Sequence, residues 1–228
     1  MRSSSKNLKI LFEDNHLIVV NKRVGDLVQG DKTGDTPLSD LLKAYLKEKY
    51  QKPGNVYLGV VHRLDRPTTG IVVFAKTSKA LERLNKMLRE KTIQKTYWAV
   101  VKNKPAKSKD TLVNYLRKNP KNNKATVFNK DTPDSKKAIL HYTSLKSLDN
   151  YHLLEIDLET GRHHQIRAQL SHINCPIKGD LKYGFDRSNK NAGIHLHARR
   201  ICFAHPVTKA LLTLEAPTPK DPIWDACN

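Results

Sequence analysis

The amino-terminal part of the chain alternates between short apolar runs and polar turns, a pattern typical of β-strands. Residues 8–22 predict two strands around a polar turn. Residues 56–65 and 68–77 predict two more, and the first of these places Asp65 at a strand end. Because alternate side chains of a strand share a face, Arg63 is expected on the same face as Asp65.

Leucines at helical spacing predict two amphipathic helices in the same part of the chain. The first begins at Thr36, which is expected as the N-cap, with Pro37 in the first helical position. The second covers residues 78–90, where three leucines form one apolar face. We expect both helices to pack against the sheet through these faces.

Further strands are predicted on either side of a basic stretch. Residues 93–103 alternate as a strand, and residues 138–148 and 151–158 predict two more. Between them, residues 102–137 are dominated by Pro, Asn and Lys and predict a loose basic hairpin or insertion. The chain then closes with a predicted hairpin over residues 195–217.

Charge narrows the class of partner. The chain has 228 residues with 41 Lys and Arg against 22 Asp and Glu, a net charge of +19. Such a surplus favours a polyanion, with nucleic acid the first candidate. Residues 102–137 contain 11 Lys or Arg and 3 Asp, so 11 − 3 gives this segment +8. A segment of that charge is suited to neutralising phosphates.

Cysteine usage and hydropathy indicate an intracellular setting. The three cysteines, Cys175, Cys202 and Cys227, are widely spaced and lack the spacing of a zinc site. They predict reduced thiols in a cytoplasmic protein. The apolar runs are far shorter than a bilayer requires, so no membrane partner is expected.

Two clusters of polar residues are candidates for chemistry. The first, HRLDRPTTG at 62–70, sets Asp65 among basic residues. Asp65 is either an ion-pair partner that closes the turn or a reactive carboxylate. The second, GRHHQIR at 161–167, lies where Gly161 breaks a strand and a short helix follows. It is either a solvated basic face or an anion-binding site.

Other chemistries fit these clusters less completely. Paired histidines suit the general acid and base of a ribonuclease, in which His164 is the residue to test. An RNA-binding module without catalysis also fits the charge. His195 and His197 have the spacing of metal ligands, but no third ligand is apparent, so we predict no metal site.

Taken in order, the polar motifs resemble those of the RluA-type family of pseudouridine synthases. The resemblance covers nearly the whole chain and depends on the ordered set of stretches rather than on any one of them. These stretches are HRLDRPTTG with AKT, KTY at 95–97, TGRHHQIR at 160–167, PIKGDLKYG at 176–184, LHA and FAHP.

The resemblance implies an α/β (α+β) pseudouridine synthase fold, with a mixed, mostly antiparallel sheet, flanking helices and a central active-site cleft. It implies an RNA-modifying isomerase that converts uridine to pseudouridine in ribosomal or transfer RNA and needs no cofactor. We expect one catalytic domain over residues 1–228, with no separate amino-terminal RNA-binding domain. We also expect a cytoplasmic monomer without an obligate protein partner.

Residue roles are carried over from the same resemblance. Asp65 matches the family's nucleophile, and Arg167 is the expected partner that keeps its carboxylate ionised. Tyr97 matches the active-site tyrosine, a stacking platform for uracil and a possible proton acceptor. Arg63 matches the residue that enters the space left by the flipped base. The other expected RNA contacts are His62, Lys22, Lys76, Lys95, Arg162 and His164.

Overall fold

The computed structural model describes residues 3–228, so the first two residues of the predicted 1–228 domain lie outside the described range. The chain forms two compact units. The first takes in the chain up to Gln94 together with Ala198–Pro219, and the second comprises Lys95–His197 and Lys220–Asn228. The prediction of a single catalytic domain stays a prediction.

Eleven strands, four α-helices and one 3-10 helix (Leu181–Tyr183) make up the regular structure of the described residues. The strands are β1 (Ile10–Glu13), β2 (Leu17–Lys22), β3 (Gly59–Val60), β4 (Thr69–Ala75), β5 (Gln94–Val101), β6 (Lys109–Asn119), β7 (Lys124–Phe128), β8 (Lys136–Ser147), β9 (His152–Leu158), β10 (Leu196–Ala204) and β11 (Leu211–Glu215). The helices are α1 (Leu38–Lys49), α2 (Ser78–Arg89), α3 (Gln165–His172) and α4 (Pro222–Cys227).

The first unit is built on the buried antiparallel pair β2 and β4. Every residue of both strands is buried, which explains why they read as continuous apolar runs rather than as alternating ones. Alternate residues of β2 face opposite sides, so Leu17 packs with Leu84 of α2 and Ile18 packs with Leu42 of α1. The unit therefore has two apolar layers, one on each face of the sheet.

The second unit is an antiparallel sheet in the order β5-β9-β8-β6-β7, with α3 packed on one face. Ala168 of α3 lies in an apolar cluster with Leu116 and Ala125. Beside this cluster the buried Gln169 amide donates to the carbonyl oxygen of Leu112 at 3.2 Å and to the side chain of Asn114 at 2.8 Å. These bonds fix α3 against the strands.

The structure departs from the sequence predictions at the start of α1. This helix begins at Leu38, and its N-cap is Pro37, which has extended backbone angles and makes no side-chain cap. Thr36 therefore lies outside the cap, and its predicted role was wrong. If Thr36 were the N-cap, its side-chain oxygen could accept the Leu38 N–H. That N–H instead donates to the Leu27 carbonyl at 2.7 Å.

The strand predicted to end at Asp65 is much shorter than expected. Strand β3 ends at Val60 and β4 begins at Thr69, so Asp65 lies in the loop between them. Pairing of β3 with β4 stops because the Val73 N–H donates to the His62 ring Nε2 at 3.2 Å, in the place where a strand carbonyl would accept it. The argument that Arg63 and Asp65 share a strand face therefore does not hold.

Residues 102–137 are more regular than the loose hairpin expected from their composition. Strands β6 and β7 pair antiparallel from Tyr115↔Phe128 to Asn119↔Lys124, and β6 also pairs with β8. Asn123 turns the hairpin with a positive φ of 52°. The basic segment is thus part of the sheet of the second unit.

Two predictions on cysteine chemistry and hydropathy concern the chain as a whole. Cys175, Cys202 and Cys227 are all free thiols, as expected. Within residues 3–228, no helix combines the length and the apolar character needed to cross a bilayer.

Candidate active site

In the first unit, the loop that carries Asp65 is fastened to the end of β2 by one buried lysine. Lys22 is 1 % exposed, and its Nζ donates to the carbonyl oxygens of Arg23 at 3.0 Å, Arg66 at 3.0 Å and Thr68 at 2.7 Å. The backbone of Asp65 adds a turn bond, because its carbonyl oxygen accepts the Thr68 N–H at 3.0 Å. The segment after Asp65 is therefore held in one conformation.

The charge of Lys22 also acts on this loop. Burial lowers the pKa of Lys22 from 10.5 to about 7, while the carboxylates of Asp26 and Asp65 oppose that shift. The charge of Lys22 therefore interacts with the Asp65 carboxylate inside the first unit, whereas the sequence predicted Lys22 as an RNA contact. The expectation that Lys22 contacts RNA is not supported, since its side chain is buried and its ammonium is used by three carbonyls.

Replacing Lys22 by methionine should destabilise the protein by roughly 2–4 kcal/mol, because buried carbonyls lose their donor. The loss should also depend on pH. Between about pH 7 and 10.5, Lys22 is protonated in the unfolded chain and neutral in the folded chain. The free energy of unfolding of the wild type therefore rises with pH over this range. The deficit of Lys22→Met should therefore grow from pH 7 to pH 10 in urea unfolding. A deficit that shrinks over this range would contradict the assignment.

The other predicted contacts in the first unit differ in exposure. Arg63 is exposed, and its side chain makes no hydrogen bond or ion pair within residues 3–228. The Lys76 side chain is only 8 % exposed and pairs with Glu13 at 3.1 Å. Burial opposes ionisation of Glu13, but hydrogen bonds from Lys49, Tyr50 and Lys76 lower its pKa to about 2. Lys76 is thus a structural ion-pair partner rather than an available RNA contact.

In the second unit, Arg167 is held by a carboxylate that the sequence reading missed. Its Nε donates to Oδ2 of Asp180 at 2.6 Å and its Nη2 donates to Oδ1 at 2.8 Å. The two side chains are 6 % and 1 % exposed, and the guanidinium also lies over the Tyr183 ring at 5.1 Å. A bidentate pair of this kind fixes the plane of the guanidinium.

Tyr183 links this pair to the histidines of the GRHHQIR cluster. Its hydroxyl accepts the Ala125 N–H at 2.7 Å and bonds to the His164 ring Nδ1 at 2.9 Å. His164 is buried and precedes α3 with a positive φ of 52°, and its ring stacks on His163 at 3.8 Å. The ring of His164 is thus part of the packed support of Tyr183, and its predicted contact with RNA gains no support from this position.

The remaining predicted residues of the second unit lie on or beside the sheet. Tyr97 is buried on β5 opposite Ile156 of β9. Lys95 is partly buried on the same strand, and burial without a compensating charge lowers its pKa. Arg162 is exposed, and its Nε donates to the Lys137 carbonyl at 2.9 Å.

The histidines considered as metal ligands have other partners. His195 stacks on Trp224 with ring centroids 5.2 Å apart and bonds to Asn189 at 3.1 Å and to Asp221 at 3.3 Å. His197 is completely buried beside the same tryptophan. Both rings therefore contribute to packing and hydrogen bonding near the carboxyl-terminal helix α4.

Each unit thus brings together part of the predicted site. The first places Lys22, His62 and Arg63 around the Asp65 loop, and the second groups Arg167 with Asp180 and Tyr183. The predicted pairing of Asp65 with Arg167 involves both units and stays a prediction. Asp180 is the one acidic residue of the PIKGDLKYG stretch, but nothing in that stretch indicates its partner.

Comparison with known proteins defines the class. The family described as RNA pseudouridylate synthase matches residues 16–172. The chain is 35 % identical over 220 residues to YhcT of Bacillus subtilis, an uncharacterized RNA pseudouridine synthase, and the match covers 94 % of this chain and 70 % of that protein. The chain therefore belongs to the RNA pseudouridine synthases, and the predicted isomerase activity on RNA is confirmed.

More distant comparisons agree with this assignment. Ribosomal large subunit pseudouridine synthase D of Buchnera aphidicola is 34 % identical over 227 residues, covering 94 % of this chain and 70 % of that protein. The chain spans about two thirds of the length of these curated relatives. The structure of human RNA Pseudouridylate Synthase Domain Containing 4 matches with a TM-score of 0.80 at 24 % identity, covering 96 % of this chain and 92 % of that one. The predicted fold class is confirmed.

Proposed function

We propose that Asp65 is the nucleophile of the isomerisation and that the loop held by Lys22 exists to present it. The observation that carries the proposal is the three-carbonyl anchor of Lys22, which orders the backbone after Asp65. Such an anchor has a high energetic cost, because a lysine is desolvated to make it. Ordering of a nucleophile before substrate arrives is what covalent catalysis requires.

The proposed reaction is balanced within the substrate. The Asp65 carboxylate bonds to C1′ of the target uridine as the bond from C1′ to N1 breaks, and the electron pair leaves with the uracil. The uracil turns, its C5 bonds to C1′, and the carboxylate leaves with its electron pair. C5 then loses its proton while N1 gains one, so the product is an isomer of the substrate. A carboxylate is suited to both steps, as in retaining glycosidases.

Arg167 is proposed to favour the ionised form of this carboxylate. Its bidentate pair with Asp180 fixes the plane of the guanidinium, so that a second carboxylate meets it in one defined geometry. Asp180 then acts chiefly by positioning Arg167.

Tyr97 and Arg63 are proposed to handle the flipped nucleotide. A tyrosine ring offers a stacking surface for uracil, and its hydroxyl is a candidate proton acceptor. Arg63 is exposed beside Asp65 in the chain, which supports a role in the space left by the base. A guanidinium in that space stacks on neighbouring bases and contacts phosphates.

The substrate is proposed to be ribosomal RNA, since several relatives are named as large-subunit synthases C or D. Comparing pseudouridines in RNA from cells with and without the gene tests this directly. We expect one or a few ribosomal positions to lose pseudouridine completely on deletion, and complementation to restore them. Loss of pseudouridine confined to transfer RNA would mean that the substrate is transfer RNA. Unchanged pseudouridine positions after deletion would contradict the proposed function.

We propose a cytoplasmic monomer that acts without an obligate protein partner, and light scattering of the purified chain tests the monomer. The ribonuclease alternative gains no support, because the His164 ring is buried against Tyr183.

A further inference from the structure

The second unit contains a groove of about 720 Å³ in which Lys and Arg side chains outnumber acidic ones. One wall is formed by the ends of β6 and β8, and another by Gly161, Arg162 and His163 ahead of α3. The side chains that line it include Arg117, Lys118, Lys136 and Arg162, against one acidic residue, Asp134. An excess of four cationic side chains over one acidic side chain suits an anionic ligand, and a polyanion in particular.

Strand register places two of these lysines on one face of the sheet. Lys136 of β8 lies opposite Leu116 of β6, and Lys118 follows Leu116 by two residues. Residues two apart in a strand share a face, so the two lysines are diagonal neighbours with Cα atoms about 7–8 Å apart. On that face Leu116 packs against α3, and the two lysines lie next to Leu116.

Neither lysine is used by the protein itself. Both side chains are exposed, and within residues 3–228 neither ammonium makes an ion pair or a hydrogen bond. Beside Gly161, which lines the groove, the Lys95 Nζ lies 3.8 Å from the position that a Cβ on Gly161 would take. A side chain at residue 161 would therefore narrow the space between the groove and this cation.

Lys95 adds a second, independent indication of an anionic ligand. It is partly buried, and across the described part of the chain its ammonium has no carboxylate partner. A desolvated cation without a counter-charge is unfavourable unless a ligand supplies one. The groove thus combines two exposed lysines and a partly bonded arginine, and a partly buried ammonium lies next to Gly161 of its lining.

We propose that this groove binds the phosphodiester backbone of the substrate RNA outside the nucleotide that is modified. The proposal depends on the RNA-modifying function but assigns a separate site, in the second unit alone. A basic groove that follows the backbone provides affinity without reading sequence. It therefore contributes to binding of any RNA, while the choice of uridine is made elsewhere.

The test compares two double charge reversals in the full chain. Lys118→Glu/Lys136→Glu alters the groove, and Lys146→Glu/Lys190→Glu makes the same charge change at exposed lysines of the second unit outside the groove lining. The probe is a fluorescein-labelled 20-nucleotide oligouridylate, with binding measured by anisotropy from 50 to 300 mM KCl. Circular dichroism and thermal unfolding check the folding of each protein, and Lys118→Gln/Lys136→Gln replaces the groove variant if reversal unfolds it.

We expect the groove variant to bind at least ten-fold more weakly at 100 mM KCl. Its slope of log affinity against log salt should fall by about 1.4, the value for two phosphate contacts on single-stranded RNA. The control pair should stay within about two-fold of wild type, because charge far from the RNA is screened. An unchanged slope in the groove variant, or an equal loss in the control, would overturn the proposal.

A parallel pseudouridine assay separates this proposal from the proposed function. On transcripts that the wild type modifies, the groove variant should raise KM at least five-fold and leave kcat unchanged. If the wild type modifies the transcripts and the groove variant behaves like the wild type, the groove proposal is wrong and the proposed function stands. If the groove variant binds RNA more weakly but the wild type forms no pseudouridine, the proposed function is wrong and the groove proposal stands.

Discussion

Asp65→Asn should abolish pseudouridine formation while leaving RNA affinity within about two-fold of wild type. Loss of a nucleophile that forms the covalent intermediate lowers kcat by roughly ten-thousand-fold or more. The amide retains the size of the carboxylate, and Lys22 is held by three carbonyls rather than by Asp65 alone, so the loop should keep its conformation. Initial rates and anisotropy binding on the same transcript measure the two effects.

The matched control for this change is Asp149→Asn. Asp149 is exposed in the second unit, and the substitution alters charge by the same amount. It should leave both rate and affinity unchanged. A partial rate loss of the same size in both variants would mean that net charge, rather than the carboxylate of Asp65, controls activity.

Asp180→Ala should destabilise the protein by about 3–5 kcal/mol, the second large effect expected from the structure. The substitution removes a carboxylate that is 1 % exposed and leaves the guanidinium of Arg167 buried without that partner. Urea unfolding measures the loss. Pseudouridine formation by the remaining folded protein should also slow, because the plane of the guanidinium is no longer fixed.

A double substitution distinguishes the pair from its separate parts. Arg167→Met/Asp180→Leu removes both charges together, so no buried charge stays unpaired, and its stability should exceed that of Asp180→Ala by at least 1 kcal/mol. It should still be inactive if Arg167 supports the nucleophile. Full activity in the double variant would mean that the pair serves stability alone.

Local sequence patterns predicted the elements whose stability is local or whose burial is uniform. Helix α2 was expected at residues 78–90 and is found at Ser78–Arg89, because its leucine spacing is strong and Thr77 caps its first turn through the Ala80 N–H. Strands β2 and β4 were recognisable because every one of their residues is buried. The basic hairpin was located correctly, but pairing of β6 with β8 makes it more regular than its lysines suggested.

The roles of the charged residues were harder to predict because they depend on distant partners. Lys22 resembled a surface cation, yet its carbonyl partners at Arg66 and Thr68 lie 44 and 46 residues away. The Asp65 loop was taken for a strand because nothing local reveals that the His62 ring accepts the Val73 N–H. Asp180 was quoted within a motif but received no role, since its pairing with Arg167 follows from the folded chain and not from spacing.

Single-turnover conversion of one transcript with enzyme in excess tests the central claim most directly. Under these conditions every RNA molecule is bound, so the amount of pseudouridine formed reports chemistry and not affinity or product release. If Asp65 is the nucleophile, the wild type converts the transcript completely and Asp65→Asn converts none, although both proteins bind the transcript equally. Conversion by Asp65→Asn at a rate within about ten-fold of wild type would contradict the assignment of Asp65 as the nucleophile.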